Sequence, residues 1–218
     1  DTGQMKIGKR LAIKLLNASK FSLSLNATLN SADVTQSVDN ALLNKLAQVV
    51  ETATSSFDKY DYTRALEVAE TFFWAFTDDY VELVKERTYG NQGEAAANSA
   101  RAALGITTHT LLKLFAPFIP FVTEEVWSWW QEGSIHLQSW PKSSEIITNK
   151  SVGIDPLNNV TWILSEVRKV KTENKQSMKA EVKTLEIWAK AEVIEQVKDA
   201  QKDLIAAGNI KDLKINVT

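Results

Sequence analysis

The chain has 218 residues, 44% of them apolar and 24% charged, with a formal net charge of −2. That balance suits a globular chain with a sizeable core and excludes a general polyanion binder, so any nucleic-acid signal must come from a local patch. The lack of cysteine excludes disulfides and thiolate metal sites and fits a cytoplasmic protein, and neither a membrane-length apolar run nor a secretory signal pattern is present.

The first two thirds read as helices. The apolar spacing predicts a helix over about 7–25, a polar loop over 26–36, and a second helix over about 37–54. A longer third helix is expected from Tyr62 to Arg87, with Asp61 as N-cap and Gly90 just past its end. A fourth runs over about 94–115 and is ended by Pro117 and Pro120, which cannot continue the backbone ladder. A short fifth starts at Thr123, where Thr-Glu-Glu reads as a helix start. SIHLQSWP (134–141) reads as a short extended stretch.

Residues 142–154 are polar and read as a linker after a helical unit of 1–141. Asp155-Pro156 resembles an N-cap with proline at the first helical position, predicting a helix to about Glu173. VKTLEIWAK alternates like a strand, a helix follows over about 192–207 with Gly208 as its stop, and DLKINVT alternates again. The fold class is therefore mainly α: a helical bundle over 1–141, then a small α-β-α-β unit over 155–218. Two strands alone make a marginal sheet, so a third is expected in chain beyond Thr218. The start at Asp1, with no Met, predicts a piece of something longer or a processed protein.

Catalytic patterns are missing. His109 and His136 have no partner at ligand spacing, and no glycine-rich phosphate loop or nucleophile motif occurs. Asp78-Asp79 and Glu124-Glu125 are adjacent on helices and point about 100° apart, which suits helix starts or salt bridges better than acid–base work. No catalytic residue and no metal site is assigned.

The first helix is more informative. At about 100° per residue, Ile7, Leu11, Leu15, Ala18 and Leu25 share one side, with Leu16 and Leu23 at its margin. Opposite lie Lys6, Lys9, Arg10, Lys14, Asn17, Lys20 and Phe21, with Ile13 among them. Cations neutralise phosphates, an amide can read a base edge, and an aromatic ring can stack on an unpaired base. This combination suits an RNA loop better than a DNA duplex. The plainer alternative is that Phe21 packs against a neighbouring helix at the bundle end, and periodicity leaves both open.

Lys85, Arg87 and Tyr89 extend a basic surface or, more simply, offset the dipole of the helix they end. Trp74, Trp127, Trp129 and Trp130 read as inter-helix packing. Arg168, Lys169, Lys171, Lys175 and Lys179 read as a solvated face, with a phosphate-contacting edge as the alternative.

KIGKRLAIKLLNASKF, AFTDDYVELVKERTYG and LLKLFAPFIPFVTEEVW together resemble the C-terminal region of bacterial valyl-tRNA synthetases, in wording closest to actinobacterial ones. The likeness runs over 1–141 and continues more weakly through the tail. The second stretch resembles the valine enzymes in particular, and the third is shared with the isoleucine and leucine enzymes. The resemblance implies a class I aminoacyl-tRNA synthetase anticodon-binding bundle whose first helix faces the anticodon loop through an Asn-Ala-x-[Arg/Lys]-Phe segment. That segment is Asn17 to Phe21 here, and Lys20 stands where many relatives have arginine, keeping the charge but losing the planar fork.

The same resemblance implies valine tRNA as partner, no DNA or membrane partner, and a monomer. It implies ATP and magnesium for the parent ligase but no cofactor in this piece, which lacks the HIGH and KMSKS-type signatures, the editing domain and the coiled-coil arm. The chain is thus expected to bind tRNA weakly and not to charge it. The competing expectation is a structural or docking scaffold with a merely solvated basic face.

Overall fold

A computed structural model describes residues 2–146 and 156–218. The fold is mainly helical, as the apolar periodicity predicts, with one small parallel sheet near the C-terminal end. Helix α1 spans Thr2–Ser24, α2 Ser37–Asp58, α3 Tyr62–Ala75, α4 Val81–Thr88, α5 Glu94–Phe115 and α6 Pro120–Trp127.

Helix α5 is the axis of the bundle and packs against α1, α2, α3, α4 and α6. Its buried Ala97, Ala100, Ala102 and Ala103 let backbones approach, while Leu104, Leu111, Leu112, Leu114 and Phe115 fill the remaining space. At Gly105 the approach is closest, because a Cβ there would run into the backbone carbonyl of Thr28 in the loop after α1.

Local chemistry sets most boundaries. The Asp61 carboxylate accepts from the Arg64 amide and caps α3, and Gly90 adopts φ 89° just past α4. The single long helix expected over 62–87 is interrupted by a π-turn at Phe76–Tyr80, a defect that helical periodicity does not encode. Helix α6 begins at Pro120, not Thr123. Proline fills its first turn, and the Thr123 hydroxyl donates back to Ile119 O (3.1 Å) and Pro120 O (3.0 Å). Residues 134–141 hold a 3₁₀ turn at Ile135–Leu137 in place of an extended strand. The Glu124 carboxylate anchors it by accepting from the Ser134 hydroxyl and the Ile135 amide.

Pro141 and Ile146 are buried, and Ser143–Glu145 forms another 3₁₀ turn. The rest of the expected linker, with Asp155 as cap, lies outside the described residues. Helix α7 (Pro156–Glu173) starts on its proline. Strand β1 (Val182–Ala189) and β2 (Ile210–Val217) pair in parallel, with Leu185 opposite Leu213 and Ile187 opposite Ile215. A parallel pair needs a crossover, which two helices supply, α8 (Ala191–Asp199) and α9 (Gln201–Gly208), broken at Ala200 where one helix was expected. Gly208 is the last residue of α9, and Asn209 takes the left-handed cap at φ 48°.

The tail is fastened to the bundle. Helix α9 packs on α4 and α7 on α2, and inside the first contact lies Arg87, 1% exposed. Its guanidinium donates to both Asp39 oxygens (2.8 and 2.7 Å), to both Asp203 oxygens (3.0 Å each) and to Ala96 O. The Tyr80 and Ser99 hydroxyls also donate to Asp39, and the Gln92 amide to Asp203. Burial works against the arginine's charge, but Asp39's hydrogen bonds and charge outweigh it and raise the pKa above its ordinary value. For Asp203, burial raises the pKa against the pull of Arg87 and Gln92.

Candidate nucleic-acid interface

Helix α1 turns Leu11, Leu15, Ser19 and Ser22 into the core, and Leu25 just past its end is buried too. Two serines thus occupy the packed side where the apolar pattern points to Ala18, which is only half-buried. Ile7 departs from the expected core face and is 51% exposed, and Met5 is 68% exposed, on a stretch whose residues 5–10 are all exposed or half-buried.

The opposite side of α1 forms one wall of a shallow groove of about 400 Å³, and α3 with its π-turn forms the other. Lys6, Lys9, Arg10, Lys14 and Asn17 line it from α1, together with the exposed Ile13, and Trp74 and Asp78 line it from across. The Arg10 guanidinium lies over the Trp74 ring, 4.7 Å from its centroid. The indole is itself held by a hydrogen bond from Nε1 to Glu70 Oε1 (3.1 Å). Lys14 reaches Asp78, with Nζ 2.8 Å from Oδ1. An exposed pair of this kind contributes on the order of 0–1 kcal/mol, so it orients the two groups more than it stabilises the fold.

The seven predicted residues are therefore not equivalent. Lys6, Lys9, Arg10, Lys14 and Asn17 share the groove. Lys20 is exposed on the same helix beyond it, its Nζ 5.7 Å from the centroid of the Trp129 ring. Phe21 is half-buried and packs against the hydrophobic core. It does not stand free beside Asn17, so the plainer reading of Phe21 describes its packing.

Trp74, Trp129 and Asp78 are the residues that periodicity misses. Trp127 is buried and Trp130 half-buried, as expected of packing residues. Trp74 is also half-buried and packs against the core as expected, but it and the exposed Trp129 in addition turn a ring toward cations of α1. A Trp74/Asp78 pair at i, i+4 signals a shared face, but nothing local says that α1 lies against it.

Other expected basic groups lie elsewhere. Arg87 does not extend a surface: it stands in the last turn of α4 but is buried, with two carboxylates against it. Lys171 is buried, donating to Met178 O (3.0 Å) and Gly208 O (2.8 Å), and burial lowers its pKa. His109 packs 5.0 Å from Trp127 and 6.0 Å from Trp130 between ring centroids, and burial followed by nearby Lys113 pushes its pKa down to about 4. Among the described residues no cluster of His, Asp and Glu could hold a metal, and no helix is long and apolar enough to cross a membrane.

A groove that combines cations, an amide, a carboxylate and an arginine-covered indole can bind an anionic chain carrying flat, hydrogen-bonding groups. Residues 39–187 match the family described as the anticodon-binding domain of tRNA ligase, and the chain belongs to that family. It is similar to the valine–tRNA ligase of Salinispora arenicola, 47% identical over 234 residues covering 98% of this chain and 27% of that protein. The valine–tRNA ligase of Thermobifida fusca is 49% identical over 223 residues, 100% of this chain and 25% of that protein. That of Cutibacterium acnes is 45% identical over 215 residues, covering 98% and 24%. The chain thus spans about a quarter of the length of the curated relatives it matches. These relatives cover α1, which lies ahead of the family match.

Proposed function

We propose that this chain is the anticodon-recognising part of a valine–tRNA ligase and binds the anticodon loop of valine tRNA through the groove of α1. The observation that carries the reading is the Arg10–Trp74 platform beside exposed Asn17, Lys6 and Lys9, in a chain of this family. The cations supply phosphate attraction and the planar groups a surface for unstacked bases. Lys20 with Trp129 extends the same contact, and Phe21 supports α1 from within and offers its outer edge. Attachment of valine, with ATP and magnesium, belongs to the remainder of the ligase in the cytoplasm. This unit acts as a monomer and needs no cofactor, and neither DNA nor a membrane is a partner.

The test is a titration of the chain with valine tRNA and with the same tRNA altered at the anticodon, repeated at several salt concentrations. Tighter binding of the unaltered tRNA at every salt is expected. Equal binding to both sinks loop readout. A docking scaffold is the second reading, favoured by Lys14 being neutralised by Asp78. Unchanged tRNA affinity after substitution of Lys9, Arg10 and Lys20 would select it. Valine-dependent exchange of pyrophosphate into ATP by this chain alone would overturn the assignment of chemistry to the rest of the ligase.

A further inference from the structure

The wall of the groove that faces α1 depends on the π-turn. At Phe76–Tyr80 the helix widens, and the Val81 amide donates to Phe76 O, five residues back. The extra residue shifts the register, so side chains beyond it stand about 100° from where an unbroken α-helix would place them. Trp74, which meets Arg10, stands just before the turn, and Asp78, which meets Lys14, stands inside it. The exposed Lys14–Asp78 pair contributes little toward keeping that shape. The C-terminal unit holds it instead. Helix α7 packs on the turn, and half-buried Arg168 donates from Nη1 to Asp78 O (3.1 Å). Its charge also acts on half-buried Asp79, opposing the burial that raises that carboxyl's pKa. At the far end of the turn the Tyr80 hydroxyl donates to Asp39 (2.7 Å), which Arg87 joins to Asp203 of α9.

We propose, resting on the RNA-binding reading of the groove, that Arg168 is a positioning residue for RNA recognition. From the C-terminal unit it holds the π-turn, and so sets where Trp74 and Asp78 stand against the cations of α1. Arg168 acts without touching RNA. Its donor satisfies a carbonyl in a turn whose own hydrogen bonds run out of α register, and losing that donor lets the turn relax toward another register. The most that such a loss can cost the groove is what the restraint itself is worth, about one hydrogen bond. The small C-terminal unit thereby serves a groove whose lining comes from α1, α3 and the turn.

The experiment compares wild-type protein with Arg168→Met and Arg168→Lys in binding the anticodon stem-loop of valine tRNA. Methionine keeps the reach of the side chain and removes donor and charge, whereas lysine keeps the charge and a donor. Arg168→Met is expected to weaken binding about three- to tenfold and to leave the slope of log affinity against log salt unchanged. Arg168→Lys is expected to recover most of that loss. In the protein without RNA, Arg168→Met should shift the NMR signals of the Trp74 indole N–H and of the Thr77–Tyr80 amides, while urea denaturation shows the variant folded. In an Arg10→Gln background, where the platform over Trp74 is already gone, Arg168→Met should cost less affinity than it does alone. Arg168→Gln, too short to reach the carbonyl, carries the comparison if Arg168→Met fails to fold. Unchanged binding by Arg168→Met overturns the inference, as do equal losses with and without Arg10. A loss that comes with a salt slope lowered by about 0.7, and with no shift at Trp74 or the turn, also overturns it, because Arg168 then contacts phosphate directly. A wild-type protein that does not bind the stem-loop sinks the RNA-binding reading itself, and this one with it.

Discussion

Arg87 and Asp39 meet as a two-pronged ion pair inside the protein, with Nη1 2.8 Å from Oδ2 and Nη2 2.7 Å from Oδ1, both side chains shielded from water. The same guanidinium holds Asp203 on α9, so one side chain of α4 ties α2 of the bundle to the C-terminal unit. Removing the cation leaves two buried carboxylates facing each other without compensation.

Arg87→Ala is therefore expected to cost about 3–5 kcal/mol of stability, measured by urea denaturation. Arg87→Lys keeps the charge but cannot satisfy Asp39 and Asp203 together, and is expected to lose much of the same amount. A loss within experimental error for both variants would show that the network adds nothing net.

His109 gives a pH dependence with a definite sign. Its pKa lies near 4 in the folded protein, below the ordinary value of 6.5, so the unfolded chain binds the proton more readily. Its contribution is full above about pH 6.5 and is lost as pH falls toward 4, up to about 3 kcal/mol across that window. The thermal midpoint of His109→Gln should fall less steeply than wild type between those values. Parallel curves would refute the assignment.

Phe21→Ala should weaken the fold by roughly 1–3 kcal/mol, since a half-buried ring is lost from the packing under α1. Chemical denaturation reads this directly. A variant with unchanged stability and weakened RNA binding would restore Phe21 as a free stacking residue.

The cations of the groove predict a salt signature. Lys9→Gln and Arg10→Gln should each lower the slope of log affinity against log salt by about 0.7, the value for one contact to a single-stranded phosphate. An unchanged slope for both places the RNA elsewhere on the surface. Arg10→Gln should also lose affinity at high salt, where phosphate attraction fades and its plane over Trp74 still counts.

Near neighbours in the chain carried much of the fold. The spacing of Leu11 and Leu15 marks the packed side of α1, the Asp61 carboxylate marks the start of α3, and Pro156 marks the start of α7. These signals are legible because each depends on contacts within one or two helical turns. The basic side of α1 was legible for the same reason, and the resemblance carried by its Asn17–Phe21 segment points to the family that the comparisons show. The groove was not legible. Arg10 meets Trp74, and Lys14 meets Asp78, across 64 residues of sequence, and the π-turn that carries Asp78 breaks the helical period used to place it. Arg87 was hidden likewise, because a cation in a last helical turn looks alike whether solvent or two buried carboxylates receive it. The sequence by itself determined which faces are apolar and which are charged. Only the tertiary structure decided which charges face each other, because that depends on how whole helices dock around α5 and not on the order of residues within any one of them.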